Sequence, residues 1–163
     1  MFQFISDKIR KDAKRKALQN VNGEGIISAD GRLAFVMDTS RKVMVVVNEN
    51  NQFKEYSKHD ILEIKIEDEN EKGYKRSLFS TLVWYEIGKM IDSKGGLQKV
   101  LSGWVTEKEI VTVKKIFLRL VVKDFQTPCY DFIFYEKGLI ANKKECYELA
   151  LRWYSLINVL KHQ

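Results

Sequence analysis

The side chains that could do chemistry are few and widely spaced. His59 and His162 are the only histidines, and neither has a serine, cysteine or carboxylate at a spacing that suggests a catalytic triad or a zinc site. His59 precedes Asp60 and Ile61 at the start of an apolar run, which reads as a turn position. Glu67, Asp68, Glu69 and Glu71 resemble a calcium loop loosely, but an EF-hand loop needs a central glycine for its sharp turn, and this run has none. A solvated turn is the expected reading. Gly23 and Gly25 give a G-x-G with no third glycine downstream and no helix opening, so a dinucleotide is not expected. Cys129 and Cys146 form no C-x-x-C pair, so a metal site is not expected either. These residues point to no catalytic group, no cofactor and no metal, and the expected function is binding without catalysis.

The densest functional signal is electrostatic. Lys8, Arg10, Lys11, Lys14, Arg15 and Lys16 face only Asp7 and Asp12 over the same stretch, an excess of four charges in a chain whose net charge is +6. Residues 2 to 19 read as a basic amphipathic helix with Phe2, Ile5, Ile9, Ala13 and Ala17 on one narrow stripe. Such a helix could lie on an anionic membrane, follow nucleic-acid phosphates or dock on an acidic partner. It could equally pack Phe2, Phe4 and Ile5 on its own domain and leave its charges in water.

At 163 residues the chain suits about one domain with enough core to need no staples. A hydrophobic share of 45% beside 31% charged residues is that of a soluble globular protein, and a single proline with nine glycines argues against disorder. The N-terminal Phe2, Phe4 and Ile5 followed by basic residues reverse the order of a signal peptide, and no apolar run approaches the ~18 to 20 residues of a membrane span. Both cysteines are expected reduced and at least partly buried. The expected location is cytoplasmic, with peripheral membrane contact as the variant.

The elements follow in chain order. Asn22-Gly23-Glu24-Gly25 reads as a linker, making residues 1–22 a basic helical arm and 26–163 the domain proper. Apolar or alternating runs at Leu33 to Met37, Val43 to Val47, Gln52 to Tyr56 and Ile61 to Ile66 predict short strands at meander spacing, and Gly73 to Ser77 could hold another. Residues 78–104 switch to helical steps broken at Gly95-Gly96, which predicts an inserted helical hairpin. Trp84, Tyr85, Met90 and Trp104 in that hairpin are the candidates for partner binding, with packing on its own sheet as the competing role. Strands over Ile110 to Val122 and Tyr130 to Tyr135 then lead to the strongest periodic signal. From Asn142 to Lys161, Cys146, Leu149, Ala150, Trp153, Ile157 and Leu160 line one stripe, opened by a capping-box spacing of Asn142 and Glu145.

About seven short strands followed by one amphipathic helix is the organisation of a pleckstrin-homology-like (PH-like) barrel: an α+β, mainly antiparallel fold closed by its C-terminal helix. The runs Val43 to Asn70, Lys114 to Tyr135 and Glu148 to Leu160, with the pairs Asp60-Ile61 and Trp153-Tyr154 as markers, resemble the bacterial PH-like proteins common in Gram-positive genomes and prophages. The resemblance covers residues 30 to 160 and implies a binding module without catalytic residues. In many such relatives the insertion is glycine-rich and nearly uniformly apolar. Here Glu86, Lys89, Asp92, Lys94 and Lys99 interrupt it, which argues against a membrane-inserting role. The leading expectation is a protein partner met through the hairpin or a strand edge. The alternative is an anionic membrane surface or nucleic acid met through the basic helix.

Overall fold

Two runs, Ala34-Phe35-Val36-Met37 and Met44-Val45-Val46-Val47, are apolar at every position, so a sheet built from them must be covered on both faces. The computed structural model describes residues 2–19, 21–71, 75–77, 112–139 and 141–162, and places both runs in one antiparallel sheet. Its strands are β1 (Glu24–Ile27), β2 (Ala34–Asp38), β3 (Val43–Val47) and β4 (Phe53–Tyr56), hydrogen-bonded in that order. A second antiparallel sheet contains β5 (Ile61–Asn70), β6 (Lys75–Ser77), β7 (Val113–Val122) and β8 (Cys129–Glu136), in the order β6-β5-β7-β8. Helices α1 (Phe2–Leu18) and α2 (Lys143–His162) flank the strands.

The turns are encoded locally. Asn48 Oδ1 accepts the backbone N–H groups of Asn50 and Gln52, both at 3.0 Å, and Asn51 takes the left-handed conformation (φ 59°) that asparagine tolerates. Between β2 and β3, Asp38 Oδ1 accepts from Ser40 N, Ser40 Oγ and Arg41 N at 3.0, 2.6 and 3.0 Å. Gly23 is required rather than merely permitted. Its φ is +131°, and a Cβ there would stand 2.4 Å from the Met37 carbonyl oxygen.

One face of each sheet meets the other. Phe35, Met37, Met44 and Val46 from the first pack with Ile64, Ile66, Ile116, Leu118, Leu120, Phe132 and Phe134 from the second, and the Phe35 and Phe132 ring centroids are 4.4 Å apart. Helix α2 completes this core. It packs on β5, β7 and β8 and buries Tyr147, Ala150, Leu151, Trp153, Tyr154, Ile157 and Leu160. Asn142 caps it, with Oδ1 accepting from Lys144 N at 3.0 Å and Nδ2 donating to Glu145 Oε1 at 3.0 Å.

The remaining apolar face of the first sheet carries Ala34, Val36, Val45 and Val47, all buried yet outside the central cluster. Helix α1 lies on this side. A Cβ on Gly25 would sit 3.5 Å from Val36 Cγ2 and 3.6 Å from Leu18 Cδ1, and one on Gly31 would meet Lys11 Cγ at 3.0 Å and Arg10 Cβ at 3.1 Å.

Several expectations change. Among the described residues the strands form two packed four-stranded sheets, not one hydrogen-bonded closed barrel, and they number eight. The extra strand is β1: Glu24 and Gly25, read as linker, pair with Met37 and Val36 because the edge of β2 is available to them. The acidic run after Ile66 is strand, since pairing with both β6 and β7 carries β5 through to Asn70. Leu149 is 37% exposed, whereas Tyr147, Leu151 and Tyr154 are buried, so the covered arc of α2 is displaced from the expected stripe by the groove it occupies. The expected hairpin 78–104 lies outside the described residues.

Trp153 is 1% exposed at the centre of the core. Trp153→Ala should destabilise the fold by about 3–5 kcal/mol in chemical denaturation. A loss below about 1 kcal/mol would show that α2 does not close this core.

Candidate functional site

The six cations expected to form an anionic-surface patch do not share one solvent face. Lys8 and Lys16 are exposed, and Arg15 is exposed with its guanidinium 2.8 Å from Asp12 Oδ1. Arg10 and Lys11 are half-buried, and Arg10 Nε donates to the Asp30 carbonyl at 3.2 Å. Lys14 is 2% exposed. Its Nζ donates to the Asn48 carbonyl and, at 2.8 Å, to Asn51 Oδ1, so its ammonium serves the β3–β4 turn. Burial lowers its pKa from the ordinary lysine value, against the opposing field of Glu49. Half of the basic signal is thus spent on docking the helix.

Where the C-terminal end of α1 leaves the sheet, a cleft of about 480 Å³ opens. Ala17, Val21, Val45 and Phe53 supply apolar surface, and Asn22, Asp38, Arg41 and Glu55 supply polar groups. Arg41 joins the carboxylates, with Nε 2.7 Å from Asp38 Oδ2 and Nη1 3.0 Å from Glu55 Oε1. Hydrogen bonds from the Ser40 hydroxyl and from Arg41 hold Asp38 well below the usual carboxylate range, and Asp38 and Glu55 raise Arg41 in turn. A carboxylate so saturated with donors is a poor proton acceptor. The cleft can seat an apolar side chain or small apolar group, with exposed Phe53 at its edge.

A second polar cluster ties β4 to the β7–β8 turn. Asp124 Oδ2 accepts from Lys54 Nζ at 2.6 Å and Tyr56 Oη at 3.0 Å, while its Oδ1 accepts from the backbone of Gln126 and Thr127 at 2.8 and 3.2 Å. Tyr56 Oη lies 2.8 Å from Tyr130 Oη. The Lys54 hydrogen bond is the largest cause holding Asp124 far below the ordinary range, and burial pushes the Tyr56 hydroxyl far up, so Asp124 stays ionised and Tyr56 protonated.

The outer face of the second sheet carries a third cluster. Arg119 forms a two-point bridge to Asp131, Nε to Oδ1 and Nη2 to Oδ2, both 2.8 Å, and its Nη1 approaches Glu67 Oε2 at 3.3 Å. Lys115 and Arg119 lie 5.6 and 5.4 Å from the Phe117 ring centroid. Glu67 therefore serves a structural ion pair. Among the described residues no group of three or more His, Cys, Asp or Glu side chains is placed to hold a metal ion.

His59 lies exposed in the turn that Asp60 braces through Ser57. Both cysteines are free thiols whose pKa burial raises. Cys129 is nevertheless exposed as a residue, against the expectation of partial burial, because it opens an edge strand beside Arg119 and Asp131; Cys146 is intermediate. Trp84, Tyr85, Met90 and Trp104 lie outside the described residues. Sequence reasoning missed the Asp124 cluster. Asp-Phe-Gln-Thr-Pro could have been read as a braced turn, but no local pattern pairs Asp124 with Lys54, 70 positions away.

Two expectations follow. Lys14→Met removes the donor from Asn48 and Asn51, so it should cost about 1–3 kcal/mol and speed proteolysis within α1; unchanged cleavage would contradict the anchoring role. Asp38 and Asp124 have depressed folded-state pKa values, so the unfolded chain takes up protons first as pH falls. Their stabilisation is complete above the unfolded carboxylate pKa of about 4 and is lost progressively below it. Asp124→Asn should flatten this acid loss in denaturation midpoints measured against pH, and a slope equal to wild type would remove Asp124 as a contributor.

No helix among the described residues is long and apolar enough to cross a membrane. No curated protein and no solved structure matches the chain. Residues 24–136, which take in the eight strands among the described residues, match the model of the family described as glycine zipper containing PH domain, and the chain belongs to that family.

Proposed function

We propose that the chain is a non-enzymatic binding module that recognises a protein partner through the segment inserted between β6 and β7. The observation that carries this reading is where the insertion is rooted. Ser77 pairs with Glu67 and Val113 with Asn70, so the segment leaves and rejoins the domain at points three residues apart along β5. The segment that carries Trp84, Tyr85, Met90 and Trp104 is joined to the second sheet at both of its ends, and aromatic and Met side chains of this kind are those enriched where proteins meet partners. The bacterial, prophage-related setting and the cytoplasmic location are proposed with it, the first on the sequence resemblance and the second on the unpaired cysteines.

The alternative, binding of anionic lipid or nucleic acid through α1, keeps Lys8, Arg15 and Lys16 as exposed charges. With Lys14 buried and Arg10 and Lys11 packed against the β1–β2 turn, α1 supplies steering more than a binding face.

Trp84→Ala and Trp104→Ala should each reduce partner capture by at least about tenfold while leaving the unfolding midpoint unchanged. Wild-type capture by both variants would remove the insertion as the interface. Loss of capture on raising salt alone would favour the α1 reading.

A further inference from the structure

β4 is the last strand of the first sheet, hydrogen-bonded on one side to β3. The phase of that ladder follows from the turn that opens it. Asn48 N donates to the Gln52 carbonyl at 3.0 Å, and antiparallel pairs alternate between bonded and unbonded, so the main chain of Lys54 and Tyr56 faces β3 while that of Phe53 and Glu55 faces outward. Among the described residues no backbone hydrogen bond outside the β3–β4 ladder reaches Phe53 or Glu55. The stretch is closed at both ends. Asn48 takes the Gln52 carbonyl, and Ser57 is bound to Asp60, its N–H donating to Oδ2 at 2.8 Å and its carbonyl accepting from Asp60 N at 3.0 Å. What stays open is the main chain of two residues, a template for a short extended segment.

The side chains along this edge add their own chemistry. Phe53 and Glu55 pair with Val47 and Val45, so they share the outer face of the sheet, where the cleft beside α1 opens. Phe53 is 48% exposed at the rim of that cleft, next to Val45, Ala17 and Val21. Lys54 between them turns to the other face, where Asp124 holds it at 2.6 Å. The charges on the cleft side do not balance. One guanidinium, that of Arg41, serves both Asp38 and Glu55, and while Asp38 is buried and saturated with donors, Glu55 meets Arg41 Nη1 at 3.0 and 3.3 Å with half of its side chain still in water. The edge therefore offers unpaired main chain, an apolar recess and an under-compensated carboxylate.

We propose that the free edge of β4 takes up an extended peptide segment as an added antiparallel strand, with an apolar side chain lying over Phe53 into the cleft and a Lys or Arg, two residues earlier in the peptide, opposite Glu55. The open main chain sets the extended conformation, the cleft sets the apolar residue, and the surplus carboxylate sets the cation. A second copy of this chain fits less well, because self-pairing centred on this stretch brings each copy's Lys54 against the other's. The edge belongs to the first sheet and the insertion is rooted in the second, so the proposal goes beyond the insertion's role.

The test is titration of the nitrogen-15-labelled full chain with the blocked peptide Thr-Thr-Lys-Thr-Leu-Thr, followed by NMR, each protein variant first checked for an unchanged unfolding midpoint. The amides of Phe53 and Glu55 should shift saturably and exchange more slowly with solvent. Replacing the peptide's Leu by Ser should weaken binding about tenfold, and replacing its Lys by Glu about threefold. Glu55→Lys should reverse the second preference, so that the Glu peptide binds better than the Lys peptide. N-methylation of the peptide at Lys or at Leu, whose N–H groups face β4, should abolish binding, whereas N-methylation at the Thr between them should leave it intact. No saturable shift of the Phe53 and Glu55 amides at millimolar peptide, or shifts confined to residues outside the first sheet, would overturn the proposal. Equal loss from N-methylation at all three positions, or none at any, would overturn strand addition in favour of a side chain seated in the cleft alone.

Discussion

A sheet that is apolar on both faces constrains everything else in this molecule. Strands β2 and β3 cannot leave either side in water, because Phe35, Met37, Met44 and Val46 point one way and Ala34, Val36, Val45 and Val47 the other. The second sheet and α2 answer the first set. Helix α1 lies over the second, and its position explains why a lysine is buried there. Lys14 meets a turn whose geometry directs one backbone carbonyl and one side-chain oxygen at its ammonium, so the charge is desolvated but not orphaned. A basic sequence feature that suggests a free arm thereby becomes part of the domain.

The polar clusters make the same point about function. Arg41 with Asp38 and Glu55, Lys54 with Asp124, Tyr56 and Tyr130, and Arg119 with Asp131 and Glu67 each join segments distant in sequence. Groups paired in this way hold turns and sheet edges together. They suit a domain whose family points to a binding module.

How far the sequence discloses this depends on whether the signal is local. The valine-rich run at 43–47, the Asn142 cap and the Trp153 position are written in neighbouring residues, and the structure places them as read. β1 is not legible because Glu24 and Gly25 have no strand pattern of their own; they pair because β2 offers an edge. The separation into two sheets, the extension of β5 through its acidic residues and the burial of Lys14 depend on contacts between positions tens of residues apart.

Helix α1 is an integral cover of the first sheet, held there by Lys14 on the β3–β4 turn and by Leu18 beside Gly25 and Val36. Amide hydrogen exchange of the full chain tests it most directly. The amides of residues 8–18 should be protected together with those of β2 and β3 and lose protection with them as denaturant rises. Exchange of these helix amides near unprotected rates, while β2 and β3 stay protected, would contradict the account and return α1 to the role of a free basic arm.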